Sequence, residues 1–180
     1  MANDIFVWEA ANIFLGDDDP GATNHLTLLS VQLPVFAQTM ISYSPGGAVV
    51  AMQFPTTMLM EQNISFKLAG SDPDRLTKIG LGTSARQNFT VYGSVRAKRD
   101  NKLIQFRAVA HGVITSIGRS EFSRGSGTDL DFQISSIDRY KEYHDNREIY
   151  VLDFWESEFR VNGVSQTAEQ NRALAIPGVA

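Results

Sequence analysis

The side chains that could do chemistry are few and scattered. His25, His111 and His144 stand far apart without an H-x-x-x-H spacing, and the chain holds no cysteine. Zinc sites draw on histidines or thiolates at short, regular spacings, so a metal centre finds no support. Disulfides and thiol catalysis are excluded outright. His111, beside Gly112 in a strand pattern, reads as a structural histidine. No G-x-S-x-G elbow marks a serine nucleophile. Gly80-Leu81-Gly82 follows a helix pattern instead of opening one, so it is not a dinucleotide fingerprint. Asp129 and Asp131 occupy alternate positions of one strand, and nothing selects them as a glycosidase pair. Asp17, Asp18 and Asp19 are adjacent, whereas a calcium loop spaces its ligands and ends on a bidentate acid. They read as a solvated loop. Arg96, Lys98, Arg99 and Lys102 crowd one hairpin and could meet phosphate, although a soluble hairpin tip has the same composition. Trp8 and Trp155 could be sugar platforms, but such rings more often anchor a core or an interface. No cofactor and no metal is implied, and a hydrolase is left without a site.

What the chain does have is a long stretch without charge. From Pro20 to Met60 there is no Asp, Glu, Lys or Arg, in a chain of which 20% is charged. At that rate about eight charges would be expected there. Met40, Met52, Met58 and Met60 lie in the same stretch and, with Met1, are all the methionines. Methionine is flexible and polarizable and suits surfaces that adapt to a partner. Pro34, Pro45, Pro55 and Gly46-Gly47 interrupt the second half, so a central strand is not expected through it. The polar residues and prolines also leave no apolar run of the ~20 residues a membrane helix needs, and no membrane anchor is expected. Residues 34–61 are therefore read as a long, irregular, apolar arm. Large exposed apolar patches mark interaction sites, which favours burial against another subunit.

The elements around the arm follow from periodicity. The chain has 180 residues, a formal charge of −4 and a pI near 5.3, which fits one domain spanning 1–180 and disfavours sequence-specific nucleic-acid binding. No basic-then-apolar leader is visible, so the mature chain is expected to begin near Met1. Residues 5–15 and 25–33 read as strands. Ile64, Phe66 and Leu68 alternate with Ser65 and Lys67, a half-buried strand. Ser71, Asp72 and Pro73 look like a helix start capped by the serine, with the helix over 72–79 and Gly80 ending it. Residues 88–97 and 103–117 form a hairpin across Asp100-Asn101, with Gly112 and Gly118 as candidate bulges or bends. A polar loop over 120–127, a strand over 129–137, a polar turn over 141–148 and a strand over 149–159 complete the β region. Asn162-Gly163 is a tight turn, and 164–175 reads as a helix, with Ser165 as its candidate cap and Pro177-Gly178 as its stop. The pattern predicts a mainly β fold: an antiparallel sandwich or barrel with one short internal helix and a C-terminal helix.

Three stretches, taken in order, carry a resemblance. The first is Ser30-Val31-Gln32-Leu33-Pro34 leading to Tyr43 and Gly46-Gly47. The second runs from Ile64 through Asp72-Pro73-Asp74 into Leu76. The third runs from Tyr150-Val151-Leu152-Asp153 to Arg160-Val161-Asn162-Gly163-Val164-Ser165-Gln166. Together they resemble the major tail tube protein of contractile-tailed phages, the family typified by phage P2. The chain departs from that pattern in a longer N-terminal part with its acidic loop and in a less charged arm. The resemblance implies a structural protein, not an enzyme. Six subunits would form a ring whose sheets merge into one barrel, and stacked rings would make the inner tube through which phage DNA is ejected. Its partners would be further copies of itself, the tail sheath protein, and baseplate and tail terminator proteins. DNA would cross the lumen without specific binding, and the protein would be assembled in the host bacterial cytoplasm and reside in the virion. The interface candidates are Leu33, Pro34, Met40, Tyr43, Gly46, Gly47, Met52, Phe54, Met58, Met60, Arg160, Asn162 and Gly163. Two other readings stay open: the tube of a phage-derived contractile particle such as an R-type bacteriocin, and a monomeric β-sandwich binding module using Trp8 or Trp155.

Overall fold

The computed structural model describes residues 4–16, 23–121, 123–125 and 127–176. The acidic loop Asp17–Asp19 and the stop at Pro177-Gly178 lie outside them. The fold is mainly antiparallel β with two short helices. The strands are β1 (Phe6–Leu15), β2 (Leu28–Gln32), β3 (Gln38–Tyr43), β4 (Met52–Leu59), β5 (Ile64–Ala69), β6 (Gln87–Ala97), β7 (Leu103–Arg119), β8 (Asp129–His144), β9 (Arg147–Asp153), β10 (Glu158–Val161) and β11 (Val164–Ser165), with helices α1 (Pro73–Leu76) and α2 (Ala168–Ala173). Nine strands form one sheet in the order β1-β6-β7-β8-β9-β10-β11, with β5 pairing β8 and β2 pairing β5. β3 and β4 form a separate two-stranded ribbon.

β8 forks the sheet. Along one edge it follows β7 throughout. On the other edge its first half pairs β5, from Ala69 opposite Asp129 to Ile64 opposite Ile134. Its second half pairs β9, from Arg139 opposite Asp153 to His144 opposite Arg147. Ser136, at the fork, has φ 53°, a backbone turn that lets the two halves diverge. The β2–β5 arm of the fork and the β1–β6–β7 arm then enclose one core. Ile13, Val91 and Phe106 from the long arm join Ile64, Leu68, Phe132 and Ile134 from the short one. Phe66 and Phe132, cross-strand partners, stack with ring centroids 4.8 Å apart. Each of these fully buried side chains contributes about 1.5–3 kcal/mol of burial free energy. The sheets are sandwich-like, and the described strands close no barrel within one chain.

Alternation governs what is buried. Ile64, Phe66 and Leu68, and Phe89, Val91, Val95 and Ala97, lie inward as their spacing predicts. Gly112 faces a bulge in β8, where residues 136–138 oppose it alone and the register shifts between His111 and Val113. A Cβ there would come within 3.1 Å of the Ile134 methyl and the Ser135 carbonyl, so any larger residue presses on both. The second shift falls between Ile114 and Ser116, not at Gly118.

Four expectations are corrected. α1 is capped by Asp72, whose Oδ1 accepts from the Asp74 N–H, and it stops at Leu76. Ser71 lies one residue too early. The polar run 141–148 is not all turn: β8 continues to His144, because Lys141 and Tyr143 point away from the core while Glu142 accepts from the buried Tyr140 hydroxyl. Residues 149–159 are two strands, β9 and β10, broken at 154–157, where Ser157 has φ 50°. The C-terminal helix starts at Ala168, not Val164, because Val164 and Ser165 pair with β10 through the Asn162-Gly163 turn.

Candidate assembly surface

The uncharged segment is not irregular. Residues 38–59 form the β3–β4 ribbon, with Gln38 opposite Leu59, Met40 opposite Pro55, Ile41 opposite Phe54 and Tyr43 opposite Met52. Pro55 fits inside β4 because both strands of a two-stranded ribbon are edges, where a missing N–H need not break a ladder. The Thr56 hydroxyl donates to the Thr39 carbonyl at 2.8 Å, tying the strands at mid-length. Pro45, Gly46 and Gly47 occupy the tip, where the Ala48 N–H donates to the Pro45 carbonyl at 3.0 Å.

The root of the ribbon is tied to its own chain. Pro34 is buried and Leu33 packs half-buried on the core, so these two candidates serve as anchors and present little outer surface. Phe36 inserts its ring among Tyr140, Tyr150 and Phe159, with centroids 5.7, 4.8 and 5.7 Å away. The Met60 N–H donates to the Ala37 carbonyl at 2.8 Å and closes the root. The buried Gln62 amide donates to the Met60 carbonyl at 2.7 Å.

Beyond that root the ribbon is open. Met40, Tyr43, Met52, Met58 and Met60 are each more than half exposed, and Phe54 nearly so at 48%. Tyr43 and Phe54 touch each other, 6.4 Å between centroids. Gly46 and Gly47 are exposed with nothing near them. An isolated two-stranded ribbon is marginal in water. Proteins guard exposed strand edges with charges, and this ribbon has none. Arg160, Asn162 and Gly163 lie elsewhere. Arg160 pairs with Glu148 at 3.4 Å and Glu158 at 3.3 Å on the sheet face away from the core. Asn162 and Gly163, with φ 51° and 79°, make the β10–β11 turn, and Asn162 Oδ1 accepts from both Arg147 Nε at 2.8 Å and Nη2 at 2.6 Å. This second group holds the C-terminal strands and is not brought together with the ribbon methionines.

The three histidines and several of the acids are engaged in hydrogen bonds or ion pairs. His111 Nδ1 lies 2.7 Å from Asp138, and the Trp155 indole N–H donates to the other Asp138 oxygen at 3.0 Å, with Arg86 3.7 Å away. Burial pushes the Asp138 pKa up, but the Trp155 and His111 hydrogen bonds outweigh it and hold the carboxyl below its usual range. His144 meets Glu142 at 3.2 Å, and His25 meets the Thr23 hydroxyl at 3.1 Å. Burial raises the Tyr140 phenol far above its ordinary pKa, and nearby Glu142 adds to the shift. The basic hairpin is largely paired: Glu9 takes Lys98 at 2.8 Å and Arg96 at 2.7 Å, which lower its pKa. Lys102 reaches Asp145 at 3.7 Å. Asp131 pairs with Lys67 at 3.3 Å. Among the described residues no group of three or more acids and histidines could hold a metal, and no helix is long and apolar enough to cross a membrane. Exposed apolar surface that periodicity does not mark lies at Phe6, 57% exposed in the first half of β1, and at Phe154, whose ring meets that of Trp155 at 5.2 Å.

Residues 20–174 match the family described as phage tail tube protein FII. The chain belongs to that family. The match takes in the whole ribbon and the Asn162-Gly163 turn and leaves β1 outside it. This member is thus a structural tail tube protein. No curated protein sequence matches it. Two solved structures from the extracellular contractile injection system PVC are similar to it at 15% identity and TM-score 0.49. The sheath/tube terminator covers 74% of this chain and 93% of its own, and the sheath–tube complex covers 74% and 88%. The anti-feeding prophage tube-terminating cap is similar at 13% identity and TM-score 0.45, over 71% of this chain and 85% of the other.

Proposed function

We propose that this tail tube protein assembles into stacked hexameric rings that form the inner tube through which phage DNA is ejected. The observation that carries the reading is the charge-free ribbon, rooted by Phe36 and exposed on both faces. Such a surface is stable only when covered, and in a tube the cover is another copy. Residues 34–61 then act as the assembly arm of a single tail-tube domain. Ring closure would also pair the open end of the sheet at β1, removing an apolar edge that invites uncontrolled association. The net charge of −4 fits a lumen that DNA crosses without the phosphate contacts that drive non-specific binding. The outer surface would meet a sheath protein, and the tube ends would meet baseplate and terminator proteins. Assembly would take place in the host cytoplasm and the product would reside in the virion.

The test is a ribbon-shortened variant. The Met60 N–H and Ala37 carbonyl already meet across the root, so replacing residues 38–59 by a short glycine link should leave the domain folded. The expected result is a cooperative monomer that forms no rings or tubes. Tube growth equal to that of the full chain would refute the role of the ribbon.

A further inference from the structure

The main sheet has an outward face, opposite the core, on which the registers set side chains in rows. Ala10, Ser94 and Gln105 stand side by side, and the next row brings Asn12, Tyr92 and Arg107 together. Between these rows and Leu103 lies an open groove of about 540 Å³, lined chiefly by Ala10, Asn12, Tyr92, Ser94, Leu103 and Gln105. Among the described residues its titratable lining is His25, Tyr92 and Asp145, the last paired with Lys102. Charge is segregated across this face. Toward β8–β10 it becomes a lattice of ions: Arg107 lies 4.7 Å over the Tyr143 ring, Arg139 pairs with Asp153 at 3.2 Å, and Arg160 bridges Glu148 and Glu158. On the near side Arg96 is held by Glu9.

We infer that this groove is the seat for the β3–β4 ribbon of a second copy of the chain. The inference rests on the ribbon being the assembly arm and names what receives it. The first argument is charge. The ribbon brings no ion, so a seat on the charged half of the face would strip water from arginines and carboxylates without offering them a partner. The groove floor asks for no such partner. The second is shape. Small Ala10 and Ser94, set between the larger Tyr92 and Leu103, leave a hollow within the ~300–1,000 Å³ range of sites that enclose a ligand. Unbranched thioether side chains fill such irregular hollows well and make favourable contacts with aromatic rings. The third is topology. The ribbon is rooted through Phe36 on the core side of the sheet, among Tyr140, Tyr150 and Phe159, while the groove lies on the opposite side. A knob on one side that fits a hollow on the other makes a head-to-tail contact, and such contacts propagate instead of closing as a two-fold dimer.

The absence of native cysteine makes the test direct. Ser94→Cys is combined in one chain with Met40→Cys, Met52→Cys or Met58→Cys, and tubes of each are oxidised. At least one combination should give a ladder of disulfide-linked chains on a denaturing gel. Tubes whose only cross-links join two ribbon cysteines, or that give none with any combination, overturn the inference. Ser94→Arg gives a second readout. It should raise the concentration needed for tube growth at least about tenfold, the effect of placing a guanidinium against an apolar partner, while the monomer melts as before. Unchanged growth overturns the groove assignment. The ribbon-shortened variant separates the two levels. If it fails to assemble while Ser94→Arg assembles normally, only the groove falls. If the shortened chain itself assembles, the assembly arm falls too.

Discussion

Replacing Phe36 by alanine removes the side chain that fastens the ribbon to the domain. Its ring meets three aromatic rings at centroid distances of 4.8 to 5.7 Å. Truncating a fully buried phenylalanine costs about 3–5 kcal/mol. Phe36 is only half-buried, so about half of that, ~2 kcal/mol, is expected here. For a chain of this size, 2 kcal/mol corresponds to a fall in Tm of about 4–8 °C. The assay is urea unfolding followed by far-UV circular dichroism, at concentrations too low for tube growth, with Phe36→Leu as the conservative control. The midpoint should fall while the slope stays unchanged, because the surface exposed on unfolding hardly differs. The leucine variant should recover about half of the loss. Tube growth should weaken in the alanine variant as well, because a loosely rooted ribbon loses its set direction and must be ordered on binding. A loss below about 0.5 kcal/mol, the scale of an ordinary surface change, would refute the anchoring argument.

Three further outcomes follow from the buried polar groups and the bulge. Asp138 has a folded pKa below its unfolded value, so its stabilisation is present above about pH 4 and is lost as pH falls through the folded pKa. Comparing wild type with Asp138→Asn by thermal melting from pH 3 to 7 should show a gap that is widest near neutrality and shrinks on acidification. A constant gap would contradict the charge assignment. The Tyr140 phenol, raised by burial and by Glu142, should stay protonated well above the ordinary phenol range of ~10. Absorbance at alkaline pH should therefore show a late step that coincides with unfolding and vanishes in Tyr140→Phe. Gly112→Ala would press a methyl against Ile134 and the Ser135 carbonyl, and urea unfolding should show a loss of about 1–3 kcal/mol.

Much of the fold was legible because burial imposes a period of two. Ile64, Phe66 and Leu68 declare their strand and its inward face, and so do Phe89 and Val91. Where the structure departs from the sequence pattern the physical cause is shared: strand pairing outweighs local composition. Lys141, Glu142 and Glu148 look like a turn, yet the alternation of inward Tyr140 and outward Lys141 continues through them because β7 and β9 pair on both sides. Val164 and Ser165 look like the start of a helix until the Asn162-Gly163 turn returns them to β10. Pro55 looked incompatible with a strand, but that rule applies to central strands and not to a ribbon. The charge-free stretch itself was plain in the sequence. Its roots were not, since Phe36 finds Tyr140, Tyr150 and Phe159 only through tertiary packing. The groove on the outer face was equally hidden, because Ala10, Ser94 and Gln105 meet by register and not by nearness in sequence. Asp138 draws its partners from Arg86, His111 and Trp155 for the same reason.

The most direct test of the tube assignment is electron microscopy of the purified full chain over a wide range of protein and salt concentrations, with a preformed baseplate added in a parallel series to nucleate growth. Six-fold rings and hollow tubes that lengthen with concentration or on nucleation are expected. Small monodisperse particles under every condition, with the nucleator present, would contradict the assignment.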